Sequence, residues 1–210
     1  MTIREPATAL TDYLMALLAA GFAVMLGGRA ASADHARWWS RSFALLAASA
    51  VAGGTFHGFE ASLPPAVAAG IWRAALATAA LSSFATMRAV ALQWLGERSA
   101  RPWTSVAAVK LALALVAGAY HPDFAVVVLD FGLTMLFAAG AGVFARARNP
   151  RAFAALAAGV ALFAVGALVQ QARLSPHPAF NHNDLFHAIQ ILGNVGFFLS
   201  AWLGSPRRKS

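Results

Sequence analysis

The sequence predicts an all-α fold: a single integral membrane bundle of seven transmembrane helices over residues 1–210, N-terminus outside and C-terminus cytoplasmic. Three observations predict it. Hydrophobic residues fill 60% of 210 positions and charged residues only 11%, and the mean hydropathy is +0.64, far above that of an ordinary soluble domain. Seven apolar stretches approach or exceed the roughly 20 residues that cross a bilayer core as a helix. Basic residues collect on alternate connections.

The first stretch, 10–28, contains LMALLAAGFAVML. Ala31-Ser32-Ala33 behind it fits a small-residue cleavage pattern, but Arg4, Glu5 and Asp12 make the preceding segment net negative, whereas Arg29, Arg37 and Arg41 follow the apolar run. A signal peptide has the opposite polarity, so a retained helix is expected. The second stretch covers 41–60 and the third 65–95, divided at Pro64-Pro65. Arg101-Pro102 is expected to open the fourth at 103–120, His121-Pro122 the fifth at 124–145, and Asn149-Pro150 the sixth at 151–172. The segment LSPHPAFNH leads into the seventh at 182–203. Proline supplies these breaks because it lacks an N–H and restricts the residue before it. Small-residue runs such as ALAAGVALFAVGALV suit close helix packing in lipid.

The net charge of +8 would suggest nucleic acid in a soluble chain. Here it is read loop by loop, with membrane lipids and no nucleic acid as the expected partners. Arg29, Arg37, Arg41, Arg98, Arg101, Arg146, Arg148, Arg151, Arg207, Arg208 and Lys209 share one side, against Arg4 and Arg173 on the other. That asymmetry sets the orientation and, with arginine far outnumbering lysine, points to a multi-pass protein of a bacterial inner membrane. Trp38, Trp39, Trp94, Trp103 and Trp202 are expected near the cytoplasmic interface, where an indole keeps its N–H wet.

Cysteine is absent, which excludes disulfides and thiolate metal sites and leaves His, Asp and Glu as the available metal ligands. Phosphate-binding and dinucleotide-binding glycine motifs are missing, and the seventh stretch lacks the lysine that a retinal Schiff base requires. The chemistry-bearing residues instead cluster toward the outer half. In HGFE, His57 and Glu60 stand three apart, and in DLFH so do Asp184 and His187, so each pair shares a helix face. Imidazole and carboxylate are zinc donors, and a site with three protein ligands leaves a position for water whose pKa falls to about 7. His57, His187, Asp184 and the neighbouring His182 are therefore candidate zinc ligands. Asn183, Gln190 and Asn194 extend a polar stripe suited to orienting a substrate. Asp130, buried in the fifth stretch, joins Glu60 as a candidate catalytic carboxylate, because ionisable groups within membrane helices mark function. Arg73 is expected as a counter-charge for Asp130 or Glu60, and Lys110 is expected to pair or to reach for the interface. Asp184 is also suited to a cap-type role in the first turn of its helix.

Seven helices, a histidine near the outer end of helix two and the Asn-Asp-Leu-Phe-His start of helix seven resemble the alkaline ceramidase and progestin/adipoQ receptor superfamily, called CREST. The resemblance implies zinc-dependent hydrolysis of a lipid amide, with His57 as the helix-two ligand and His187 as the second histidine of the helix-seven pair. Asn183 stands where that family has the first histidine, His182 is displaced by one residue, and Gly53 occupies the family's serine position. Glu60 is the first candidate for shuttling a proton to the leaving amine. Two alternatives stay open: a non-enzymatic binding, sensing or structural protein of the same fold, and a haem protein with His57 and His187 as axial ligands.

Overall fold

The structure is a computed structural model that describes residues 3–30, 33–177 and 180–205. Its described residues form seven long helices: α1 (Pro6–Gly27), α2 (Asp34–Phe59), α3 (Pro65–Leu95), α4 (Glu97–Tyr120), α5 (Phe124–Ala145), α6 (Pro150–Gln171) and α7 (His182–Gly204). Short 3-10 turns follow α2 at Glu60–Ser62 and α5 at Arg146–Arg148. All seven helices are long and apolar enough to cross a membrane. The chain is thus an all-α, multi-pass membrane protein. Ala31, Ser32 and the basic residues Arg207, Arg208 and Lys209 lie outside the described residues.

Local chemistry explains most boundaries. Pro6, Pro65 and Pro150 sit in the first turn of their helices, where the missing N–H costs no intrahelical bond. Asp123 caps α5 by accepting from the Ala125 N–H at 2.8 Å, and Asn149 caps α6 by accepting from Ala152 at 3.1 Å. The expected break at Arg101-Pro102 is displaced. The chain turns at Gly96, whose φ of 80° suits glycine, and Pro102 is carried within the second turn of α4. Likewise α2 begins before Arg41, at Asp34; its first turns are too polar for hydropathy to have included them.

α1 packs against α2 and α7, α2 against α3, and α6 along α7; α3 also meets α4 and α5. α3 is the most enclosed helix and α4 the most peripheral. Lipid tails are as apolar as leucine, so burial alone does not draw these helices together; close packing and polar clasps do. α1 shows both. Its buried residues Ala9, Asp12, Ala16, Ala19, Ala23 and Leu26 recur at alternating spacings of three and four, one continuous face. Opposite it, a Cβ on Gly54 would stand 2.9 Å from Asp12 Cβ and 3.2 Å from the Ala9 carbonyl. Glycine is what allows α1 and α2 to approach this closely.

Further along, Trp39, Phe43, Leu26, Val90, Leu156 and Phe197 form the dense part of the core. Trp39 stacks on Phe197 with ring centroids 6.0 Å apart, and Phe22 on Phe198 at 4.3 Å. This corrects one expectation. Trp39 and Trp94 are buried inside the bundle, and Trp39 Nε1 donates to Gln93 Oε1 at 2.7 Å. An internal amide has replaced interfacial water for that indole.

Candidate functional site: an internal chamber with a polar end

A cavity of about 470 Å³ runs inside the bundle, lined by every helix except α4. On α2 its wall extends from Trp39 to His57, about 27 Å of helix and comparable to the ~30 Å of a bilayer's hydrocarbon core. Leu46, Phe43, Leu76, Val127, Phe131 and Phe163 make most of it apolar. Leu136 of α5 lines it while being 72% exposed, and the lining residues Gly132 and Ala164 are exposed as well. The wall is thin there, and the chamber meets the outer surface between α5 and α6.

The polar end lies where α1 and α7 begin and α2 finishes. His57 and His187 both line the chamber, with ring centroids 6.5 Å apart and planes at 69°. Each imidazole is backed by a carboxylate from the start of the chain. His57 Nδ1 stands 3.0 Å from Glu5 Oε2, and His187 Nδ1 stands 3.5 Å from Asp12 Oδ1. Thr11 Oγ1 is 3.3 Å from the same His187 nitrogen. With Nδ1 directed at a carboxylate in both rings, Nε2 is the nitrogen left to face a guest molecule. Asp12 is 3% exposed, and its Oδ2 has no hydrogen-bond partner among the described residues. A histidine held by a carboxylate is a constellation suited to hydrogen bonding and to proton transfer.

Asp184 occupies a different place. Its Oδ2 accepts from the Asn181 N–H at 2.7 Å, its Oδ1 accepts from Thr8 Oγ1 at 2.6 Å, and the Asn181 side chain accepts in return from Asn183 and Asp184 N–H groups. This reciprocal capping box fixes the start of α7, and the Thr8 bond pins it to α1. His187 is one turn further along. Asn183 accepts from Gln170 Nε2 at 2.9 Å, and Asn194 Nδ2 donates to the Gln190 carbonyl at 2.9 Å. Asn183, Gln190 and Asn194 all line the chamber, so the anticipated polar stripe of α7 faces it. His182, in the first turn of α7, is not among the lining residues.

The two candidate catalytic carboxylates point elsewhere. Glu60 pairs with Arg4 at the rim, and Asp130 forms a buried ion pair with Lys110. Lys110 Nζ also donates to Ser83 Oγ at 3.0 Å, which is joined in turn to Thr134 at 2.9 Å. Lys110, rather than Arg73, neutralises Asp130. α4 turns Lys110 inward toward α5, while Arg73 stays exposed. The carboxylates nearest the histidines are therefore Glu5 and Asp12, which in the sequence stand only as charges flanking the first apolar run. Asp12 carried a usable signal: it lies two turns inside a membrane helix, with Thr8 and Thr11 on the same face.

Imidazole and carboxylate are donors that zinc accepts, but no three His, Asp or Glu side chains among the described residues stand close enough together to hold a metal ion. The donor types fit; their placement around a single point does not. Among the described residues, the features that define this protein are seven membrane-competent helices around an apolar chamber with a histidine–carboxylate end. The chain belongs to a family described as "Family of unknown function (DUF6962)", whose model matches residues 7–204. No curated protein and no solved structure matches it.

Proposed function

We propose that the protein takes an amphipathic, lipid-like molecule from the surrounding bilayer and seats its apolar part in the chamber and its polar group beside His57 and His187. The observation that carries this reading is the chamber itself: a cavity of about 470 Å³ with mostly apolar walls, interrupted by the hydroxyls of Ser42, Ser82 and Thr86, and with its histidines and their carboxylate Asp12 at one end. Its size falls within the roughly 300–1,000 Å³ of small-molecule sites. An acyl chain gains little by leaving lipid for an equally apolar cavity, so preference among guests comes from the polar end. There His57, His187, Asn183 and Gln190 offer donors and acceptors. The basic asymmetry supports an orientation with this end outside and the arginine-rich end in the cytoplasm, in a bacterial inner membrane.

A titration with a single-chain lipid bearing a nitroxide on its tail tests the binding, because Trp39 and Trp72 line the chamber. Saturable quenching in the native chain, weakened when Leu46→Trp fills the cavity, supports the reading. Quenching that grows linearly and is equal in both proteins contradicts it.

A second reading, zinc-dependent hydrolysis of a lipid amide, is favoured by the nearness of His57 and His187. In that reading this chain would contribute the two imidazoles, with Asp12 and Glu5 holding them, although no three His, Asp or Glu side chains among the described residues stand close enough together to complete a metal site. Metal analysis and ceramide-type amide turnover of detergent-purified protein, beside His57→Ala and His187→Ala, test it. Saturable binding with neither metal nor turnover leaves a binding protein, and a haem absorption band would point to the bis-histidine alternative.

A further inference from the structure

We infer that the arginine-rich end carries a site for the phosphate of an anionic phospholipid, built by Trp38, Arg41, Arg88 and Thr104, separate from the chamber. Arg41 Cζ and Arg88 Cζ each lie 4.7 Å from the Trp38 ring centroid, which places the two guanidinium groups within twice that distance of one another. Both are held against the indole by cation–π attraction. Neither is ion-paired with a carboxylate among the described residues. Arg88 Nη1 donates to Thr104 Oγ1 at 2.7 Å, a neutral partner, and Arg88 Nε is buried without a hydrogen-bond partner among the described residues. Two cations repel, and a guanidinium N–H left unpaired away from water is costly; an anion beside both guanidinium groups relieves both.

The level of these groups identifies the anion's source. Arg41 is seven residues from the start of α2, Arg88 seven from the end of α3 and Thr104 seven from the start of α4, so all three stand about 10 Å inside the same end of the bundle. α2 and α3 have 26 and 31 residues, about 39 and 46 Å of helix against a hydrocarbon core of ~30 Å. With a ~30 Å core centred on helices of this length, a position about 10 Å inside lies roughly 2–6 Å below the headgroup boundary, a depth that an arginine side chain spans by reaching toward the interface. There an Arg fork matches a phosphate with two parallel N–H···O bonds, and basic pockets between membrane helices suit anionic headgroups. Arg41 is exposed and Arg88 half-buried, which leaves one cation for capture and one for anchoring.

The test is thermal unfolding together with native mass spectrometry of the full chain in uncharged detergent. The sample is titrated separately with phosphatidylglycerol, phosphatidylcholine and inorganic phosphate. Phosphatidylglycerol is expected to bind and raise the unfolding temperature by linkage, with affinity falling about fivefold for each cation removed in Arg41→Gln and Arg88→Gln. Arg151→Gln, which removes an exposed arginine at the same end, should match wild type. Because Arg88→Gln also loses the Thr104 bond, Arg41→Gln alone decides the matter if the former folds poorly. Equal responses to the two lipids, a response to inorganic phosphate as large as to phosphatidylglycerol, or an undiminished affinity in Arg41→Gln would each overturn the site.

Discussion

The side chain that ties fold to site most tightly is Asp184. It closes the capping box of α7 and accepts a hydrogen bond from Thr8 of α1, so the same carboxylate sets where His187 stands and where α1 must lie. Thr8→Val keeps the shape and removes the donor. It should cost about 1–3 kcal/mol, the penalty for a buried acceptor left unmatched, whereas Thr8→Ser should stay near wild type in reversible unfolding measurements. Lys110 and Asp130 make a sharper case. Lys110→Met strands a buried carboxylate and should cost about 3–5 kcal/mol, while the double change Lys110→Met, Asp130→Leu should recover most of that loss. If the single and double variants were equally unstable, the pair would owe its worth to something other than mutual neutralisation. At this scale the sequence was partly legible. HGFE and DLFH located both histidines, since an i, i+3 spacing states which residues share a face. It does not state which neighbouring helix that face meets. For that reason Glu5 and Asp12, not Glu60, stand beside the imidazoles, and Lys110, not Arg73, stands beside Asp130.

Among elements, the α1–α2 contact positions the polar end, because Glu5 and Asp12 come from one helix and His57 from the other. Gly54→Leu, placed where a Cβ already meets Asp12 and Ala9 at 2.9–3.2 Å, should force the helices apart and destabilise by about 1–3 kcal/mol. Asn181→Ala should cost about 1 kcal/mol through loss of the α7 cap. Both are read by thermal unfolding in detergent, and a neutral Gly54→Leu would show that the helices are not in close contact there. Helix existence was legible from hydropathy and proline punctuation, because lipid demands long apolar runs. Helix starts were less so. The first turns of α2 and α4 carry Asp34, Arg37, Glu97, Arg98 and Arg101, residues that hydropathy excludes although the backbone continues helical through them.

For the whole molecule, orientation and occupancy are the two consequences that matter. The absence of cysteine makes single-cysteine labelling in intact cells clean: with the histidine end outside, Arg173→Cys should react with an impermeant thiol reagent and Arg98→Cys only after permeabilisation. The reverse pattern would invert the orientation and put the chamber's polar end in the cytoplasm. The chamber itself was not legible, because it arises from how six helices pack around a common gap, and a single helix's hydropathy says nothing about a gap between several. The most direct measurement is native mass spectrometry of protein released from detergent, comparing wild type with Leu46→Trp and His187→Ala. Wild type is expected to retain one lipid-like molecule, Leu46→Trp to lose it by filling the chamber, and His187→Ala to show a weakened or altered selection because part of the polar end is gone. A bare wild-type chain, or the same lipids retained equally by all three proteins, would contradict binding in the chamber.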